Sequence, residues 1–278
     1  MKKQFLSLSE IHAALFEILV EFDRVCREHN LRYSLDYGTL LGAVRHKGFI
    51  PWDDDVDVSM PRSDYERFLT LVNEGQIRFA SHFMLSRDRG RGADYPYLKL
   101  MDTRYKTSCF SHFEVPYLFL DIFPVDGVPD LPEKQVRRWQ KKVDRYNFVI
   151  GVTRWYTFNS RFGFIAWILG FWYYLPFVFY GRKRAAAKLQ ALAKNYPFEK
   201  CSKVDVGWGL THDYVERECF EHYCEVEFAG RKFMAISDWD KRLTVRYGDY
   251  MTPPKKIPQI SGHGTIVYKN PKYEKEHS

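Results

Sequence analysis

The chain has 278 residues, 45% of them hydrophobic and 28% charged, with a formal net charge of +7. That composition excludes a disordered chain, and the length suits one substantial core or one domain with a smaller appendage. The basic balance asks for an anionic partner, which nucleic acid, an acidic membrane surface or a phosphorylated substrate would each satisfy. The N-terminal segment starts with two lysines and an apolar run. Glu10 and Glu17 interrupt that run, so no signal peptide is expected and the protein is placed in the cytoplasm. Ser7-Leu8-Ser9-Glu10 has the form of a capping box. Ile11, Leu15, Ile18, Phe22 and Val25 follow at helical spacing, which predicts an amphipathic helix ending near His29-Asn30. Arg32 to Tyr37 reads as a strand, and Gly38-Thr39 opens a short helix through about Arg45. Val56, Val58 and Met60 alternate with polar residues and predict a strand, after which Pro61 starts a helix with Tyr65, Phe68, Leu69 and Val72 on its apolar face.

Further strands are expected at 83–85, 97–101 and 117–123. Pro132 opens a long basic helix through Val149, and a second helix covers 181–196. Ala229-Gly230-Arg231 joins two strands as a hairpin, Asp238 to Tyr247 is a last helix stopped by Gly248, and the tail beyond Met251 reads as loop. The irregular alternation predicts an α+β fold, a mixed sheet with helices packed on it. Five cysteines without framework spacing fit a reducing compartment. Cys219, His222 and Cys224 lack a C-x-x-C pair and read as structural.

The chemistry concentrates in "GTLLGAVRHKGFIPWDDDVDVSM", residues 38–60, where Asp53, Asp54, Asp55 and Asp57 crowd together. Side chains two apart on a strand share a face, about 6.6 to 7 Å from each other. Asp55 and Asp57 therefore point one way and Val56 and Val58 the other, which suits one or two divalent cations with phosphate oxygens completing the shell. Asp53 and Asp54 precede the strand and read equally well as a solvated acidic turn. Gly38 at a strand-to-helix turn permits close backbone approach, and the N–H groups of the helix start attract phosphate. Thr39 adds a hydroxyl donor, and Arg45, His46 and Lys47 add positive charge. "YLFLDIFPVDG" holds Asp121 inside an apolar run, where a charge needs a partner, so Asp121 is either a metal ligand or a general base. Asp126, between Pro124 and Gly127, is expected in a turn.

"YSLDYGTLLGAVRHKGFIPWDDDVDVSM", with "PRSDYERF", "YLKLMDTRYKT", "LDIFPVDGVP" and the late "YGDYMTPP", resembles the signature of the LicD family. The resemblance covers most of the chain and is weakest over 150–200. It implies a polymerase-beta-type nucleotidyltransferase core, in which Asp55 and Asp57 match the paired carboxylates and Asp121 the third. It also implies transfer of phosphocholine from CDP-choline to a sugar hydroxyl of a teichoic acid or other lipid-linked glycan precursor, with release of CMP. Mg2+ or Mn2+ at Asp55, Asp57 and Asp121, and phosphate held by Gly38, Thr39, Arg45 and Lys47, complete that expectation. The choline head would prefer an aromatic cage, for which Tyr37, Trp52 and Tyr97 lie nearest the motif. Ribitol or glycerol phosphate from its CDP donor is the alternative cargo. A nucleotidyltransferase acting on RNA or a small molecule, and a non-catalytic membrane-associated binding protein, are the alternative classes. The basic residues of 134–146 read as a solvated helix face, and no nucleic acid is expected as partner.

"FGFIAWILGFWYYLPFVFY", residues 162–180, carries no charge but is interrupted by Gly163, Gly170 and Pro176 and flanked by arginines at both ends. It is expected to dip into the anionic inner face of the cell membrane without crossing it. The expected organisation is a catalytic core over 1–130, a helical membrane-associating insertion over 131–200, and a part completing the catalytic domain over 201–278.

Overall fold

A capping box opens the first helix of the computed structural model, which describes residues 4–86, 96–108, 116–155, 179–207, 212–254 and 266–277. Ser7 Oγ accepts from the Glu10 N–H at 3.4 Å, and Glu10 Oε2 accepts from the Ser7 N–H at 2.7 Å. Helix α1 (Leu8–Glu28) then buries the expected stripe of Ile11, Leu15, Ile18, Phe22 and Val25. Strand β1 (Ser34–Leu35) leads into α2 (Tyr37–His46), and β2 (Asp57–Pro61) leads into α3 (Arg62–Asn73). Strands β3 (Phe83–Leu85), β4 (Leu98–Ser108) and β5 (Tyr117–Val128) follow, then helices α4 (Glu133–Trp155) and α5 (Arg182–Lys194). The last part holds β6 (Lys203–Val206), β7 (Val215–Glu216), β8 (Tyr223–Phe228), β9 (Arg231–Ile236), α6 (Trp239–Tyr247), β10 (Ile266–Lys269) and α7 (Pro271–His277).

Eight of these strands form one mixed sheet with the path β1-β2-β5-β4-β10, while β3 joins β4 and the pair β6–β7 joins β5. The β2–β5 pairing is parallel and the other pairings are antiparallel. Helix α1 lies against β4 and β5, and the core between them includes Leu15, Phe22, Val58, Leu100, Leu118 and Leu120. The hairpin β8–β9 docks on β1, where the Ile236 N–H donates to Ser34 Oγ at 3.0 Å. Helices α4 and α5 make a smaller core through Trp139, Val143, Ile150, Ala185 and Leu189.

Four expectations change. The tail is not all loop: β10 pairs with the far end of β4, and α7 follows it. Asp126 is not in a turn but inside β5, where Arg62 Nε donates to it at 2.7 Å; the strand runs through Pro124 and Gly127 because β6 pairs with it there. Strands β6 and β7 have too short an apolar pattern to announce themselves. The strand expected over 32–37 shrinks to Ser34–Leu35, because the Asp36 carboxylate caps α2 one residue earlier than Gly38. The apolar run 162–180 lies outside the described residues except for Phe179 and Tyr180, which are exposed. Among the described residues, no helix is long and apolar enough to cross a membrane.

The return from α2 toward β2 depends on Gly42, since a Cβ there would lie 2.4 Å from the Gly48 carbonyl oxygen. Backbone cannot yield as a side-chain tip can. Gly42→Ala is therefore expected to cost about 1–3 kcal/mol, read as a lower urea midpoint with an unchanged slope. A wild-type midpoint would mean that the 47–50 turn moves freely.

Candidate active site

Asp57 on β2 stands opposite Asp121 on β5, and Asp121 stands opposite Lys99 on β4. Opposed residues project from the same face of a sheet, so two carboxylates and one ammonium form a row across three adjacent strands. Asp55 precedes Asp57 by two positions, in the extended segment that enters β2. Val56 and Val58, on the other face, are fully buried. Asp53, Asp55, Asp57 and Asp121 line one cleft of about 750 Å³.

The row is electrostatically unbalanced. Burial first, and then the charges of Asp55, Asp121 and Asp53, push the Asp57 carboxyl well above the ordinary carboxylate range. Lys99 pulls the other way. Its ammonium is ion-paired with Asp121 Oδ1 and sits 3.7 Å from the Phe119 ring centroid. Among the described residues, no three carboxylate, histidine or cysteine side chains already form a cage for a metal ion. Asp55 and Asp57 nevertheless fit a hard divalent cation, which takes oxygen ligands and relieves the repulsion that Lys99 leaves. Asp121 fits less simply, because Lys99 engages one of its oxygens.

The helix beside the row is held under strain. Asp36 caps α2 by accepting from the Tyr37 N–H at 2.8 Å, and Arg242 Nε donates to the same Asp36 oxygen at 3.1 Å. Both members of that ion pair are buried. Tyr37 has a φ of 44°, a left-handed value that costs a bulky residue energy and persists only where surroundings impose it. Its hydroxyl donates to the Val206 carbonyl at 3.0 Å, and the guanidinium of Arg242 lies 5.2 Å from its ring centroid.

The other expected residues separate. Gly38 lines the cleft, but the atom packed on it is Asp53 Oδ2, 2.4 Å from where a Cβ would stand. Thr39 is buried beneath the floor, and its hydroxyl accepts from the Asp57 N–H at 2.8 Å. It therefore positions Asp57 rather than facing the cleft. Arg45 is in the wall, with Nη1 donating to the Tyr250 carbonyl at 2.7 Å. Lys47 is not brought to the carboxylates; it ends α2 with a φ of 59° and lines a second cavity beside Glu227 and Trp239. Trp52 and Tyr97 both line the cleft.

Sequence reasoning missed Lys99, Arg246, Tyr247 and Asp249. Lys99 lies in an apolar strand between Leu98 and Leu100, so the argument that singled out Asp121 applies equally to it. Arg246, Tyr247 and Asp249 form the wall facing the carboxylates. Tyr247 and Asp249 belong to "YGDYMTPP", which carried a resemblance but no chemistry of its own, and Arg246 stands just before it. Arg246 Nη1 donates to Asp213 at 2.9 Å, and burial pushes the Tyr247 hydroxyl up to about 12.

An α+β protein with buried carboxylates paired across two parallel strands, and arginines lining the same cleft, has the parts of a phosphoryl-group transferase. A family model described as "LicD/FKTN/FKRP, nucleotidyltransferase domain" matches residues 30–150. The chain is also 33% identical over 279 aligned residues to the lipopolysaccharide cholinephosphotransferase LicD of Haemophilus influenzae, covering 96% of this chain and 99% of that protein. An uncharacterised protein of Rickettsia typhi is 38% identical over 59 residues, 21% of this chain and 19% of its own. The chain belongs to the LicD family.

The charge imbalance is testable without substrate. A carboxyl whose folded-state pKa is raised adds stability below its unfolded value of about 3.8 and loses it as pH climbs through the folded value. In EDTA, Asp57→Asn is neutral at every pH and should melt above wild type at pH 8, by about 2–4 °C for each kcal/mol gained. The gap should shrink toward pH 4. A variant melting below wild type at pH 8 would show that the carboxylate is already balanced.

Proposed function

We propose that this chain transfers phosphocholine from CDP-choline to a sugar hydroxyl of a teichoic acid or other lipid-linked glycan precursor, releasing CMP. The observation that carries the reading is the Asp57–Asp121–Lys99 row, both of whose carboxylates line a cleft, in a chain similar over nearly its whole length to a cholinephosphotransferase. In the reaction, the acceptor oxygen attacks the phosphorus that bears choline. The bond from that phosphorus to the oxygen bridging it to the cytidylyl phosphate breaks, and the bridging oxygen leaves with CMP. The acceptor hydroxyl gives up its proton to Asp121 or to water.

Asp55 and Asp57 would hold Mg2+ or Mn2+, which neutralises charge on the diphosphate and on the departing CMP. The Thr39 hydroxyl fixes the Asp57 backbone, and Lys99 keeps Asp121 oriented along the row. Arg45 and Arg246 are the cations in the described cleft wall available to orient phosphate oxygens. A polymerase-beta-type core, with the 131–200 segment as an insertion between two parts of one catalytic domain, is the organisation in keeping with this reading. So is docking on the inner face of the cell membrane. Phe179, at the end of the apolar run, is 77% exposed and Phe148 on α4 is 46% exposed, and Lys183 and Arg184 just after the run are exposed as well.

Purified protein incubated with CDP-choline, a lipid-linked acceptor and Mg2+ should release CMP, and EDTA should stop it. Asp55→Asn and Asp57→Asn should each lower kcat by about 10²–10⁴-fold while the protein stays folded. Near-wild-type turnover by either variant would remove the cation from these residues. Release of CMP from CDP-glycerol or CDP-ribitol, but not from CDP-choline, would change the cargo.

A further inference from the structure

The aromatic residues of the cleft fall into two groups by what already lies against their rings. Tyr37 has Arg242 at 5.2 Å and Arg246 at 5.4 Å from its centroid, and Phe123 meets it edge-on at 5.3 Å. Tyr97 packs on Phe123 at 4.5 Å and has the Lys99 ammonium 5.1 Å from its centroid. Tyr247 has Arg246 at 5.5 Å. These rings already take up positive charge supplied by the protein itself. Phe123 and Tyr250 also line the cleft but are buried, whereas Trp52 is half-buried and its ring contact is T-shaped, with His46 at 6.3 Å and 87°. Among the described residues, no guanidinium or ammonium sits over it.

Charge divides in the same way. Trp52 is followed directly by Asp53, and Asp55 comes next in the cleft wall. Arg45, also in the lining, turns one guanidinium N–H to the Tyr250 carbonyl at 2.7 Å and has further donors for phosphate oxygens. A quaternary ammonium has no N–H to donate. It cannot make the short charge-assisted hydrogen bond that a lysine donates to a carboxylate, so it is held by an aromatic face and by the field of nearby anions. Tryptophan offers the strongest such face.

We infer that Trp52 walls a subsite for the quaternary ammonium of the donor alcohol, with the adjoining Asp53 supplying the field. The inference rests on the phosphocholine reading above. It sets Tyr37 and Tyr97 aside as choline-binding residues, since their rings serve the protein's own cations. It also orders the donor in the cleft: the choline end beside Trp52 and the phosphates toward Arg246.

Calorimetry with CDP-choline, CDP-ethanolamine and CMP separates the possibilities. CDP-ethanolamine differs from CDP-choline only in lacking three methyl groups, and CMP lacks the alcohol altogether. Trp52→Ala should weaken CDP-choline binding about 10- to 30-fold, erase the preference for CDP-choline over CDP-ethanolamine, and leave CMP affinity unchanged. Trp52→Phe, which keeps a ring and protects the fold, should retain most of the preference. An unchanged CDP-choline affinity in Trp52→Ala would overturn the inference. So would an equal loss for CDP-choline and CMP with a wild-type melting curve. Wild-type protein that binds CDP-choline with the Trp52-dependent preference but never releases CMP would overturn the transferase reading and leave this subsite standing.

Discussion

Like charges held side by side in a sheet constrain the rest of this molecule. Two unit charges 4 Å apart repel by about 4 kcal/mol at an effective dielectric of 20. A chain does not accumulate such repulsion in a buried row without return. Asp57 and Asp121 come together because β2 and β5 pair in parallel, a pairing that hairpins cannot make. The crossover between those strands carries α3, β3 and β4, and β4 delivers Lys99 to the end of the same row. The topology thus brings together both the repulsion and a buried ammonium that partly offsets it. Asp57 keeps a raised proton affinity even so, because burial and the carboxylates of Asp55, Asp121 and Asp53 outweigh Lys99.

The opposite wall answers to a different constraint. Helix α2 begins at Asp36, and its cap is shared with Arg242, which arrives from far along the chain on α6. Removing one partner of a buried ion pair strands the other, at about 3–5 kcal/mol. The late segment is therefore fastened to the early one where the cleft needs it. The same fastening keeps Tyr37 in its left-handed backbone conformation, under Arg242 and Arg246. Strain in a bulky residue at the entrance to α2 fixes where the helix, and with it Gly38 and Thr39, meets the carboxylates.

Local pattern made much of this visible. The capping box at Ser7 and Glu10, the stripe of α1, and the alternation of Val56 and Val58 with Asp55 and Asp57 depend on neighbours in sequence, and each has a period that can be read. What escaped depends on partners distant in sequence. Pairing with β6 straightens β5 through Pro124 and Gly127, so Asp126 meets Arg62 instead of sitting in a turn. The tail becomes β10 because β4 offers it an edge. Thr39 reads as a ligand for phosphate because it sits at a helix start, and only the register of β2 shows that its hydroxyl is used on the Asp57 N–H. Lys47 stands close to the motif in sequence, but the turn at its own φ of 59° carries it toward the β8–β9 hairpin.

The position of the basic charge bears on what the net balance means. A chain with a formal charge of +7 invites the idea of a basic cleft for an anionic substrate. The cleft is instead acidic, with Asp53, Asp55, Asp57, Asp121 and Asp249 against Arg45 and Arg246 among its described lining. The positive surplus lies elsewhere. Lys134, Arg137, Arg138, Lys141, Lys142 and Arg145 are exposed along α4, and Lys183 and Arg184 are exposed at the start of α5. Both helices flank the uncharged run. At ordinary ionic strength, exposed charge acts over about 8–10 Å, so those residues act on whatever lies beside α4 and α5 rather than on the donor. Net charge here describes the exposed faces of α4 and α5 and not the cleft. The cleft carries the opposite sign, so a ligand entering it meets carboxylates on most sides and a guanidinium at only two places in the described lining.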